Sequence, residues 1–152
     1  MDSKIRIPPH STEAEKSVLG SVLLDRDAVV AVVEFLHPEF FYEDRHQKIF
    51  SAVVSLYQQH EPVDVVTVAE KLKNAKTLEE VGGMEYLKEL VNGVPTASHA
   101  ASYGHAIKDS YTKRMLISTA GMLMDMGFDE GQEIKQILDS AESRVFSLSQ
   151  QH

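Results

Sequence analysis

Pro8-Pro9-His10-Ser11-Thr12-Glu13-Ala14-Glu15-Lys16-Ser17-Val18-Leu19-Gly20 decides how the rest of the chain is read. Two prolines cannot continue an upstream helix, Thr12 can cap a new one, and Glu15 three residues later completes a capping box. Ala14, Val18, Leu19, Val22 and Leu23 then recur at the spacing of one buried helix face. The stretch is an amphipathic helix start, in which Glu13 and Glu15 find enough explanation in the positive end of the helix dipole.

Working outward, helical periodicity accounts for nearly every apolar cluster, and the spacing predicts an all-α chain. Asp25 or Asp27 caps a second helix that buries Val29, Val32, Val33 and Leu36 and stops at His37-Pro38, because a residue before proline avoids the α region. Its valines would suit a strand, but they keep helical spacing and do not alternate. Asp44 caps a third helix with a stripe of His46, Ile49, Phe50, Val53, Val54 and Tyr57, which Glu61-Pro62 ends. Asp64 precedes a fourth, closing near Asn74. Thr77 and Glu80 offer a capping box over a short turn ending in Gly82-Gly83, and Met84 to Asn92 buries Tyr86, Leu87, Leu90 and Val91.

Asn92-Gly93-Val94-Pro95-Thr96 combines a helix stop, a proline and a new cap in Thr96 or Ser98, so a boundary is expected there. The predicted organisation is a compact multi-helix head over residues 1–94, an antiparallel helical hairpin for subunit pairing over 95–149, and the start of a linker at 150–152. The hairpin's first helix is expected from about Ala97 to Met126 and its second from about Gln132 to Leu148, with a break at Gly127-Phe128-Asp129. Apolar residues on more than one face of the first helix exceed what one partner helix covers, which points to a second subunit. Tyr103, Gly104, Ile107, Tyr111, Arg114, Met115 and Met122 are the expected contact residues. Thr12, Glu15, His46, Phe50, Asp64, Gly82 and Gly83 are expected to be structural.

Length and composition narrow the function. A chain of 152 residues suits one ordinary domain, burying about 68–70% of the surface its unfolded form exposes. Without cysteine there is neither a disulfide framework nor a thiolate metal site, which fits a cytoplasmic setting. The stretch Met1-Asp2-Ser3-Lys4 opens no signal-peptide core, and no apolar run approaches the ~20 residues that span a bilayer. Fifteen basic against twenty-three acidic residues give a net charge of −8, a field that repels phosphate backbones.

No chemistry-bearing motif is found. Gly-x-x-x-x-Gly-Lys-Ser/Thr and Gly-x-Gly-x-x-Gly are both absent, so no nucleotide-phosphate loop is expected. His105 and Asp109 stand at i, i+4 with His99 nearby, but no third and fourth ligand accompany them, and no metal site is predicted. His46 lies on an apolar stripe, where a hydrogen-bonded core histidine is expected and not a catalytic base. No catalytic or cofactor-binding residue is assigned.

The opening run resembles the start of the N-terminal domain of bacterial replicative DNA helicases of the DnaB type. Four further blocks match the same family in order. They are Phe41-Tyr42 with His46, Ile49 and Phe50; Pro62-Val63-Asp64 with Thr67-Val68; Leu78 to Gly83 with Tyr86-Leu87 and Leu90; and Val94 to Ala97 with Tyr103, Ile107 and Arg114. Three positions depart from its pattern: Phe40 stands where an acidic residue is common, His99 where asparagine is, and Gly104 where alanine is.

The resemblance implies a non-catalytic collar domain. It would support self-pairing into dimers and, in the full-length protein, a hexamer that docks a DnaG-type primase, with a helicase loader left open as a further partner. DNA would be met only through that hexamer, and ATP and Mg would belong to a RecA-like motor outside this chain. Gly104 would permit close approach of a partner helix. The helicase-binding domain of a primase, similar in architecture, is the alternative.

Overall fold

The structure, a computed structural model, describes residues 6–94 and 96–152. Met1-Asp2-Ser3-Lys4 and Pro95, on which two of the expectations above rest, lie outside the described residues. Among the described residues there are seven α-helices and no strand: α1 (Thr12–Leu24), α2 (Arg26–Val33), α3 (Asp44–Gln58), α4 (Val65–Asn74), α5 (Gly83–Asn92), α6 (Ala100–Phe128) and α7 (Ile134–Gln151). Short 3-10 turns occupy Pro38–Phe40 and Ala97–His99. The all-α class expected from the periodicity holds.

Local chemistry sets where the helices begin. Ser11, not Thr12, caps α1: its extended backbone turns the hydroxyl oxygen to accept from the Ala14 N–H at 3.2 Å, and Thr12 becomes the first helical residue. Asp25 caps α2 by accepting from the Asp27 N–H at 2.9 Å. At α4 the Asp64 carboxylate accepts from Thr67 N–H at 2.8 Å while the Thr67 hydroxyl accepts from Asp64 N–H at 3.0 Å, a reciprocal box built with threonine. Asp44 caps nothing. It is the first residue of α3 and pairs with Lys48 one turn on, at 2.7 Å.

Thr77 and Glu80 form no capping box either. The Thr77 hydroxyl donates to the Leu72 carbonyl, closing the end of α4, and Glu80 reaches Lys48 at 2.9 Å. Hydrogen bonds to Asp44 and Glu80 hold the Lys48 ammonium above its ordinary range, against the pull of burial. The chain enters α5 through Gly82 (φ +110°) and Gly83 (φ +70°), left-handed conformations that side chains rarely adopt.

The residues divide into two compact units. One is His10–Asp109, the other the described part of Met1–Pro9 with Ser110–His152. The division falls inside α6, whose first turns bury Ala100, Gly104 and Ile107 with the head. Periodicity locates an apolar face but does not say which neighbour covers it.

In the head, α1 is central, contacting α2, α3 and α5. Val18, Leu19 and Val22 are fully buried, as are Val32 on α2 and Ile49, Phe50 and Val53 on α3. At Gly20 the two helices touch by backbone, since a Cβ there would overlap the Leu90 carbonyl and the Val94 side chain. Gly20→Ala gains about 1 kcal/mol of helix propensity but must force α1 from α5. Overpacking of this kind costs about 1–3 kcal/mol, and against a backbone carbonyl the upper end applies. Urea unfolding is expected to report a net loss of about 2 kcal/mol.

Candidate functional site

The head's most unusual polar feature is a buried chain of hydrogen bonds. Glu15 lies on the inner face of α1 with only 2% of its surface exposed. A carboxylate removed from water needs donors in return, and Glu15 has three. Its Oε2 accepts from the Tyr42 N–H at 2.7 Å, and its Oε1 accepts from the Glu43 N–H at 3.4 Å and from His46 Nδ1 at 2.7 Å. Glu15 thus serves the segment leading into α3 and forms no capping box in its own helix.

His46, fully buried, uses both ring nitrogens. Nδ1 meets Glu15, and Nε2 lies 2.6 Å from the Tyr86 hydroxyl on α5. Its ring also stacks with that of Tyr86, centroids 6.0 Å apart. The Arg45 guanidinium sits 3.9 Å from the centre of the Tyr86 ring and its Nε donates to Glu43 at 3.2 Å. Burial pushes the Tyr86 hydroxyl up to about 12, nearby Glu43, Glu89 and Glu15 adding to the effect and Arg45 opposing it.

Among the described residues, Glu15, Glu43 and His46 bring donor atoms within 4.8 Å of one another, close enough to hold an ion. Glu43 Oε2 is also buried without a hydrogen-bond partner, 3.5 Å from His46 Nδ1. The surroundings, however, suit anions. Two backbone N–H groups at the positive end of α3 face the Glu15 carboxylate, and Arg45 pairs with Glu43. The arrangement fastens α1, α3 and α5 together.

The sequence-predicted contact residues separate into two groups. Gly104 and Ile107 are buried in the head. A Cβ at Gly104 would stand 2.9 Å from the Phe35 ring and 3.4 Å from Val32, so the close approach it allows is to α2 and the residues after it in the same chain. His105 stacks on Phe35 at 4.2 Å. Tyr103, on the head, is 41% exposed. In the other unit Tyr111, Arg114 and Met115 are half-buried, and Met122 is exposed beside Arg144, whose guanidinium reaches its sulfur at 3.0 Å.

That contact runs between α6 and α7, as in an antiparallel hairpin. No residue of α7 is buried. Its stripe of Ile134, Leu138 and Val145, with Phe146 beside it, faces solvent, and so do Leu116, Ile117 and Met124 of α6. The expected contact residues included Met115 and Met122 but neither Ile117 nor Leu116 nor the α7 stripe, although the apolar positions of α7 keep clean helical spacing in the sequence.

A sequence model described as the DnaB-like helicase N terminal domain matches residues 7–109. The chain belongs to this family. It is 43% identical over 145 residues to the replicative DNA helicase DnaB of Geobacillus stearothermophilus and 39% identical over 145 residues to the replicative DNA helicase DnaC of Bacillus subtilis. Each match covers 95% of this chain and 32% of the relative, so the chain spans about a third of the length of these curated relatives.

Among solved structures, the N-terminal domain of DnaB helicase from Mycobacterium tuberculosis superposes with a TM-score of 0.88 at 35% identity, covering 93% of this chain and 99% of that one. A DnaB-like replicative helicase, solved in a study of its interactions with primase, shares the fold at a TM-score of 0.75 and 23% identity, covering 91% of this chain and 31% of that one. Among the described residues no helix is long and apolar enough to cross a membrane.

The buried chain makes two stability predictions. Glu15→Ala strands two backbone donors and an imidazole, a buried-pair deletion that costs about 3–5 kcal/mol in urea unfolding. Tyr86 carries an alkaline signature. Because the fold raises its hydroxyl from 10.0 to about 12, its contribution is complete below pH 10 and is lost as pH rises through about 12. Tyr86→Phe should remove that component from the pH–stability curve and cost about 1 kcal/mol at neutral pH, where His46 loses its partner.

Proposed function

We propose that this chain is the non-catalytic N-terminal collar domain of a replicative DNA helicase, pairing with its own copies in a hexamer and docking a DnaG-type primase. The observation that carries this reading is the hairpin. Its α7 has no buried residue yet keeps a clean apolar stripe, in a chain whose family is the DnaB-like N-terminal domain. Burying one Leu, Ile or Phe side chain contributes about 1.5–3 kcal/mol. The entropy of association cancels much of the gain from several such side chains, so the isolated domain pairs weakly and tethering in a hexamer strengthens it.

The head supplies a rigid base and no reaction. ATP and Mg belong, in this proposal, to a motor domain like that of the longer relatives, and this chain carries no glycine-rich phosphate loop to hold them. DNA is met through the assembled hexamer, a helicase loader would be a further partner, and the cytoplasm is the setting. The match of residues 7–109 to the helicase family favours this reading over the helicase-binding domain of a primase.

Ile107→Asp does not test it, because Ile107 is a core residue whose loss would unfold the head. Leu138→Asp does. At 60% exposure Leu138 can accept a carboxylate without disturbing the fold, but an unpaired charge at a subunit contact is costly. Sedimentation equilibrium should show the wild-type chain pairing at high concentration and Leu138→Asp remaining monomeric, with circular dichroism still reporting a folded head. Primase binding by the corresponding full-length helicase should fall in parallel. A variant that pairs and binds primase like the wild type would end this account of the hairpin.

A further inference from the structure

The segment that precedes α1 groups with the hairpin and not with the head it leads into. Its prolines explain how this is possible. Pro8 and Pro9 have fixed φ and no N–H, so the segment does not extend α1 backwards and runs as open chain. The carbonyl of Pro9 accepts from Arg114 Nη1 on α6 at 2.7 Å, a charge-assisted hydrogen bond between residues 105 positions apart. The Arg114 guanidinium carbon lies 5.7 Å from the ring centre of Tyr111, one turn earlier.

Just ahead of this clamp, Ile7 is 72% exposed. A β-branched apolar side chain held in solvent contributes nothing to the isolated chain. It sits on the same unit as the exposed Leu116, Ile117 and Leu138. Arg6 beside it offers a positive charge, and the turn and α7 of a hairpin carry Asp129, Glu130, Glu133, Asp139 and Glu142. Against these stand only Lys135 and Arg144, so a second hairpin, acidic on balance there, complements the segment in both apolar character and charge. Two such hairpins related by a two-fold axis also close a four-helix arrangement in which each covers the other's stripes, whereas one added helix leaves a stripe open.

We propose that Arg6–Pro9 is a strap forming part of the surface through which the hairpin pairs with a second copy of this chain. Arg114 holds the strap in place and Ile7 supplies an apolar contact. This rests on the self-pairing reading of the hairpin and adds to it an element from outside the hairpin.

The test is sedimentation equilibrium of the full chain and of Ile7→Asp, Arg114→Ala and a variant lacking residues 2–7, each checked by thermal unfolding, with Leu138→Asp as reference. The strap variants should raise the dimer dissociation constant about tenfold, a change of about 1.4 kcal/mol, with melting within a degree or two of wild type. Leu138→Asp should abolish pairing. If Leu138→Asp abolishes pairing while Ile7→Asp and the truncated variant pair as the wild type does, the strap proposal fails and the hairpin reading stands. If the wild type stays monomeric at millimolar concentration, both fail.

Discussion

A carboxylate buried in an apolar interior must be surrounded by donors, and Glu15 organises the head by collecting them. Its three partners come from the loop entering α3 and from α3 itself, and His46 passes the connection to Tyr86 on α5. Apolar packing among Val18, Leu19, Val22, Ile49, Phe50 and Leu87 supplies most of the driving force. That packing is non-directional and tolerates small slips of helix against helix. The hydrogen bonds do not, because each loses its worth within a few tenths of an ångström. The polar chain therefore fixes the register in which α1, α3 and α5 meet.

Gly20 is the complementary constraint on the other side of α1. With α5 pressed against its backbone, α1 has no room to rotate or slide, and Glu15, one turn and a half earlier, is delivered to the same place each time. A missing side chain and a buried charge thus do related work, one by allowing contact and the other by demanding it.

The helices were legible in the sequence because apolar spacing and breakers agree at nearly every junction. What escaped was what each polar group bonds to. Glu15 fits a capping box by spacing, yet it also falls among Ala14, Val18 and Leu19 on the buried arc, and its donors arrive from residues 27 to 31 positions away, which no local pattern records. Asp44 fits a cap as well as Ser11 and Asp25 do, but the segment before α3 already had an acceptor in Glu15. Gly104 and Ile107 show the same limit for apolar residues: their periodicity is visible, while the identity of the covering surface, here Phe35, Val32 and the head's core, is a tertiary fact. The family resemblance, carried by blocks spread over the head, was the more secure guide because it does not depend on guessing partners.

The bare stripe of α7 has a consequence for how the chain keeps its order. A helix with no buried residue draws no support from a core of its own, and isolated helices of this length are marginal in water. Amide protection in the head reflects the folding equilibrium of a single chain and is indifferent to dilution. In α7, where only residues such as Ile137, Ala141 and Leu148 are half-buried, a second copy covering the stripe would add protection that by mass action rises and falls with its concentration. Under the self-pairing proposed above, the hairpin would be a gauge of its own occupancy: ordered where assembly is complete, and fraying, open to proteases and chaperones, where a subunit is left alone.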